Sequence, residues 1–221
     1  MNTEIFSKVD QYISNLLAPE DEILLHTIKS LDDNGLPQHS VSANQGKFLQ
    51  VLMRACNAKR VLELGTLAGY STIWLARGLP KEGVLVTIES DAVHTQVAKK
   101  NIEIAGLSNQ VEIKVGKALE ILPIMIKENP EPFDFIFIDA DKPPYVEYFN
   151  FALELSRSGT IIVCDNVVRD GKVIEENCKD EKVFGVQRLN KVLSENSKVT
   201  ATILQMVGVK EYDGMAIAVV N

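Results

Sequence analysis

The chain is poor in cysteine, histidine and tryptophan, and it carries no excess of positive charge. Its 221 residues include three cysteines, three histidines and one tryptophan. Cys56, Cys164 and Cys178 are odd in number and far apart, with no CxxC pair; that fits reduced thiols in a cytoplasm. His26, His39 and His94 are scattered, and none stands out as a catalytic group. A formal net charge of −7 argues against a nucleic-acid partner, because phosphate binding needs a basic surface. No stretch of 18 apolar residues occurs, so no membrane span is expected. The opening MNTEIFSKVDQYISNLL carries acids and lacks the basic start and apolar block of a signal peptide.

What is present is a regular alternation. Ile5, Phe6, Val9, Ile13 and Leu16 recur at helical spacing, as do Leu24, Leu25, Ile28 and Leu31. Asp32-Asp33-Asn34-Gly35 closes the second of these helices, and Ser42 is placed to cap a third. From Arg60 onward, strand-like runs fall at Val61–Leu64, Val84–Ile88, Val111–Val115, Phe133–Ile138 and Thr160–Cys164. Helical segments separate them, roughly Ser71–Arg77, Asp91–Ala105, Ala118–Lys127 and Tyr145–Ser156. This order predicts an α/β fold with a mostly parallel sheet and helices on both faces. A further helix runs from about Val183 to Ser194, followed by apolar runs Val199–Val207 and Met215–Val220. The link Gly208 to Gly214 is too short for a helical crossover, so a seventh, antiparallel strand should end the sheet. No linker or repeat interrupts residues 1–221, and one domain is expected.

Two strand ends carry oxygen ligands. FIDADK places Asp139 and Lys142 after one apolar run, and CDN places Asp165 and Asn166 after another. In an open parallel sheet these ends face the ligand crevice. Two carboxylates and an amide oxygen suit Mg²⁺, with Ca²⁺ or Mn²⁺ as alternatives. Upstream, ELGTLAGYS reads as strand, glycine turn, helix; its Gly65-x-x-x-Gly69 spacing differs from the GxGxxG dinucleotide fingerprint. With Glu89 ending the next strand, the pattern matches an S-adenosylmethionine site, the Glu89 carboxylate accepting both ribose hydroxyls. NAD enzymes share such a strand-end acid. The plainer readings are a tight turn at Gly65 and Gly69, and a helix-capping acid at Glu89 ahead of Ser90 and Asp91.

Taken together, VSANQGKFLQVL, ELGTLAGYS, VGKALEIL, FIDADK, CDNVV and DGMAIAVV resemble the cation-dependent O-methyltransferases, the family of caffeoyl-CoA and catechol O-methyltransferases, here in a bacterial-type form. The resemblance covers nearly the whole chain and implies a Rossmann-like methyltransferase fold. It implies Asp139, Asp165 and Asn166 as metal ligands and Lys142 as general base, with Asp139 also near cofactor and substrate. Val41, Ser42, Glu63, Gly65, Thr66, Ser71, Glu89 and Ala118 match cofactor-lining positions. Residues 1–58 would form part of the acceptor pocket and lid. The implied reaction is methyl transfer from S-adenosylmethionine to a small catechol-type acceptor, whose metal-chelated phenolate attacks the methyl carbon in line with sulfur. The family is commonly dimeric, so a homodimer is expected. A different substrate class, the hydroxylated uridine of tRNA, shares the same catalytic core. Plant members carry a tryptophan three residues after the DN pair; here that place holds Arg169, suited either to stacking on an aromatic acceptor or to pairing with a substrate carboxylate. Asp141 has no assigned role, and Cys164 reads as a small buried strand residue.

Overall fold

The computed structural model describes residues 3–128 and 131–221; Met1, Asn2, Asn129 and Pro130 lie outside them. Seven strands form one sheet: β1 (Arg60–Leu64), β2 (Val84–Glu89), β3 (Val111–Val115), β4 (Phe133–Ile138), β5 (Ser156–Asp165), β6 (Val199–Gly208) and β7 (Glu211–Val220). Their order is β3-β2-β1-β4-β5-β7-β6. The pairs among β1 to β5 are parallel, while β7 runs antiparallel to both β5 and β6. The expected reversed last strand is therefore present, and it lies between β5 and β6. The hairpin is tighter than the glycines suggested: β6 reaches Gly208 and β7 begins at Glu211, because Gln205 to Gly208 pair onward with Glu211 to Gly214 instead of looping out.

Among the described residues, eight α-helices surround the sheet: α1 (Thr3–Leu17), α2 (Glu22–Asp33), α3 (Ala43–Ala55), α4 (Tyr70–Ala76), α5 (Ala92–Ile104), α6 (Ala118–Glu128), α7 (Tyr145–Glu154) and α8 (Glu181–Glu195). β4 is buried along its whole length, as a strand covered on both faces must be. The side-chain period of two then sorts the core. Ile136 and Ile138 join Leu62, Ile162 and residues of α6 to α8 on one face. Phe135 and Phe137 join Val61, Val163 and residues of α3 to α5 on the other.

Local signals explain the entry to α3. Ser42 accepts from Gln45 N at 3.2 Å, and the Gln45 side chain accepts from Ser42 N at 2.7 Å. Such a reciprocal cap is worth about 1 kcal/mol. α1 behaves differently from its pattern. Val9, Tyr12, Leu16 and Leu17 are exposed, so its apolar stripe does not enter the core. Instead Asp10 accepts from Val209 N at 2.9 Å and is hydrogen-bonded to the Asn44 side chain, which pins α1 against the β6–β7 turn. Among the described residues, no helix is long and apolar enough to cross a membrane.

Candidate functional site

The carboxyl ends of the parallel strands open on a cleft of about 1060 Å³. Val41, Gly65, Thr66, Ser71, Glu89 and Ala118 line one part of it; Asp139, Lys142, Asp165, Asn166 and Arg169 line the other. Eleven residues singled out from the sequence thus meet in one cavity. Ser42 and Glu63 do not line it.

Gly65 joins the two halves. Its φ is +97°, and a Cβ there would lie 2.1 Å from the Asp139 carbonyl oxygen. Only glycine allows the end of β1 to pass the backbone of Asp139 this closely. Beneath the turn, Glu63 is fully buried and accepts from the hydroxyls of Ser71 (2.6 Å), Thr72 (2.5 Å) and Thr87 (2.8 Å). Burial pushes its carboxyl up to about 7, against the pull of those three donors. Glu63 therefore reaches the cleft through Ser71, which it orients.

Glu89 is bound by backbone. Its Oε2 accepts from Thr66 N (3.1 Å) and Leu67 N (2.9 Å), and its Oε1 from Asp91 N (2.9 Å). The cap of α5 is Asp91, which accepts from Val93 N and His94 N, so the capping explanation for Glu89 does not hold. The Glu89 carboxylate fixes the glycine turn while facing the cleft, with His94 Nδ1 at 3.5 Å.

In the other half, Lys142 is buried. Its Nζ donates to Asp139 Oδ1 at 2.8 Å and to Tyr145 Oη at 2.6 Å. The Tyr145 hydroxyl lies 3.0 Å from the Asp165 carbonyl oxygen, and burial raises its phenol well above the ordinary range, so it stays protonated and can donate there. Tyr145 was not singled out in the sequence; standing three residues after Lys142, on the first turn of α7, it had a readable signal. Asp165 is 3% exposed, and Asn166 N donates to its carboxylate at 2.7 Å. Burial, reinforced by neighbouring Asp139, raises the Asp165 carboxyl strongly. Cys164 is buried as expected, its thiol pushed up to about 12.

Arg169 neither stands free in solvent nor reaches across the cleft. Its Nη1 is 3.9 Å from Asp213 Oδ2, and its Nε is buried without a hydrogen-bond partner among the described residues. Asp213 is the second group that sequence reasoning passed over.

Among the described residues, no group of three His, Cys, Asp or Glu side chains could hold a metal by itself. A cation here would need the Asn166 amide beside Asp139 and Asp165. That set fits an oxygen-seeking dication, because a buried carboxyl beside a second carboxylate gains most from added positive charge.

The O-methyltransferase family model matches residues 14–219. A catechol O-methyltransferase of Niastella koreensis is 61% identical over 221 residues, covering all of both chains. One from Mycobacterium tuberculosis is 42% identical over 213 residues, covering 96% of this chain and 95% of that one. The crystal structure of an O-methyltransferase from Bacillus cereus in complex with SAH superposes with a TM-score of 0.96 at 48% identity, covering 99% and 100% of the two chains. By the family match and these likenesses over the whole chain, the chain belongs to the O-methyltransferase family, enzymes that transfer a methyl group to oxygen.

Proposed function

We propose that this enzyme methylates one hydroxyl of a small catechol-type phenol, using S-adenosylmethionine and a divalent cation, Mg²⁺ first among candidates. The observation that carries this reading is the meeting of Asp139, Lys142, Asp165 and Asn166 in the same cleft as the Gly65–Glu89 turn. The names of the N. koreensis and M. tuberculosis relatives support a catechol acceptor.

Asp139, Asp165 and Asn166 would hold the cation, which supplies positive charge that favours phenolate over phenol. Glu89 and Ser71 would position the ribose and the methionine part of the methyl donor. Lys142 Nζ takes the acceptor proton, held in place by Asp139 and Tyr145. Pro37 to Val41 and Gln45 also line the cleft, so the N-terminal region serves as part of the acceptor pocket and lid, and the chain acts as one catalytic domain.

The test is turnover on a catechol panel and on bulk tRNA, each with and without EDTA. EDTA-sensitive methylation of catechols is expected. Undiminished turnover in EDTA removes the metal from the reading; methylation of tRNA and of no catechol transfers it to the hydroxyuridine class.

Two further outcomes follow from the geometry. Glu89→Ala should weaken S-adenosylmethionine binding by about 1.5–3 kcal/mol for each charged hydrogen bond lost, at least tenfold in affinity by calorimetry. Unchanged affinity would move the ribose contact elsewhere. The second outcome concerns assembly. The exposed Val9, Tyr12, Leu16 and Leu17 of α1 adjoin the exposed Leu204, Val207 and Val209 of β6 and its turn, an apolar surface suited to a second copy. The enzyme should form a homodimer through it, with light scattering at micromolar concentration giving twice the chain mass; a monomeric mass would refute this.

A further inference from the structure

Immediately after Asp165 the chain takes an unusual path. Asn166, Arg169 and Asp170 have φ of 57°, 54° and 55°, and Gly171 follows at 81°. Left-handed backbone is uncommon outside glycine and persists only where neighbouring structure imposes it. Three of the six such non-glycine residues among those described fall in this one short stretch.

Part of this stretch is gripped by a carboxylate 44 residues or more away along the chain. Asp213 Oδ1 accepts from Val168 N at 3.0 Å, from Arg169 N at 2.8 Å and from its own neighbour Gly214 N at 2.9 Å. Beside it, Val167 N donates to the Gly214 carbonyl at 3.0 Å. A Cβ on Gly214 would lie 2.5 Å from Val168 Cγ2 and 2.6 Å from the Leu204 carbonyl oxygen, so the contact is too close for any larger residue. Asp213 is partly buried in the cleft wall, and its second oxygen faces Arg169 at 3.9 Å. Within the segment Asn166 has one local tie, its N–H donating to the Asp165 carboxylate at 2.7 Å. Asp213 and Gly214 clamp the residues that follow it to the start of β7.

We propose that Asp213 is a positioning residue for the cation: by gathering the Val168 and Arg169 amides it holds the Asn166 side chain where it can complete the set begun by Asp139 and Asp165. It acts as a hydrogen-bond acceptor, not as a ligand. This rests on the metal reading given above. Groups that orient metal ligands commonly account for 10–100-fold in metal affinity, and two loop N–H groups on one Asp213 oxygen, those of Val168 and Arg169, tie the loop to β7. An asparagine retains an acceptor oxygen of the same reach; an alanine does not.

The experiment measures Mn²⁺ binding by electron paramagnetic resonance, and S-adenosylmethionine binding by calorimetry, on wild type, Asp213→Ala, Asp213→Asn and Asp165→Ala. Asp213→Ala should bind Mn²⁺ at least tenfold more weakly with cofactor affinity within about twofold of wild type, and Asp213→Asn should recover most of the loss. Should Asp213→Ala fail to fold, Asp213→Ser, whose hydroxyl is too short to span the three amides, makes the same comparison. Mn²⁺ affinity unchanged in the alanine or serine variant would overturn the proposal. So would equal losses in the asparagine and alanine variants, which would make Asp213 a charge or ligand rather than a clamp. Absence of Mn²⁺ binding in wild type sinks the metal reading itself. Binding in wild type that Asp165→Ala abolishes and Asp213→Ala leaves intact sinks only the role of Asp213.

Discussion

Asp165→Ala should abolish methyl transfer while leaving the fold and S-adenosylmethionine affinity close to wild type. The side chain ends β5 at the centre of the cleft and is almost wholly buried, so its removal takes away half of the carboxylate set in the proposed cation site. It also removes a buried acid whose ionised form burial disfavours, which is why the sheet should tolerate the change. The cofactor turn at Gly65 and the Glu89 carboxylate depend on β1 and β2 and do not touch Asp165. Charge stabilisation by a bound dication is worth several kcal/mol, so turnover should fall by on the order of 10³-fold or more. Near-normal turnover of the variant in metal-free buffer would show that the reaction needs no cation.

Lys142→Ala should lower maximal turnover by about 10²–10⁴-fold, the range general-base help commonly supplies, with a smaller change in acceptor affinity. The lysine is held at 2.8 Å from Asp139 and 2.6 Å from Tyr145, pinned in one place rather than sweeping the cleft, and Asp139, Asp165 and Asn166 all remain in the variant. Raising the pH should recover part of the rate, because hydroxide can then take the acceptor proton. A variant that loses acceptor affinity alone, with its maximal rate unchanged at every pH, would make Lys142 a residue that orients the acceptor and nothing more.

Most of the architecture was readable because it is local. Apolar runs such as FDFIFI mark buried parallel strands, and Ser42 with Gln45 marks a helix start. The strand-end residues were readable for a related reason: once the strands are placed, Asp139, Lys142 and Asp165 must emerge at the same edge of the sheet. Contacts between distant segments left no such trace. The sequence shows DGM opening a terminal strand, but not that Asp213 accepts from Val168 and Arg169, more than forty residues earlier in the chain. Arg169 lines the cleft where its spacing after Asp165 and Asn166 puts it, but its approach to Asp213 at 3.9 Å leaves no mark in the sequence. Periodicity marked α1 as a helix correctly, since it reports that a face is apolar, but it does not say what covers that face.

Because β7 runs against its neighbours, the register that sets Met215 beside Asp165 also sets Val219 beside Ile161, at the opposite end of β5. Asn221 is then fastened next to Lys198, at the edge away from the cleft. A label placed on Lys198 or Asn221 would leave the cleft open to solution. A label placed on Val209 or Lys210, at the turn where α1 is fastened, would sit at the cleft mouth. The single reversed strand thus decides which end of the sheet can carry a label without reaching the cleft.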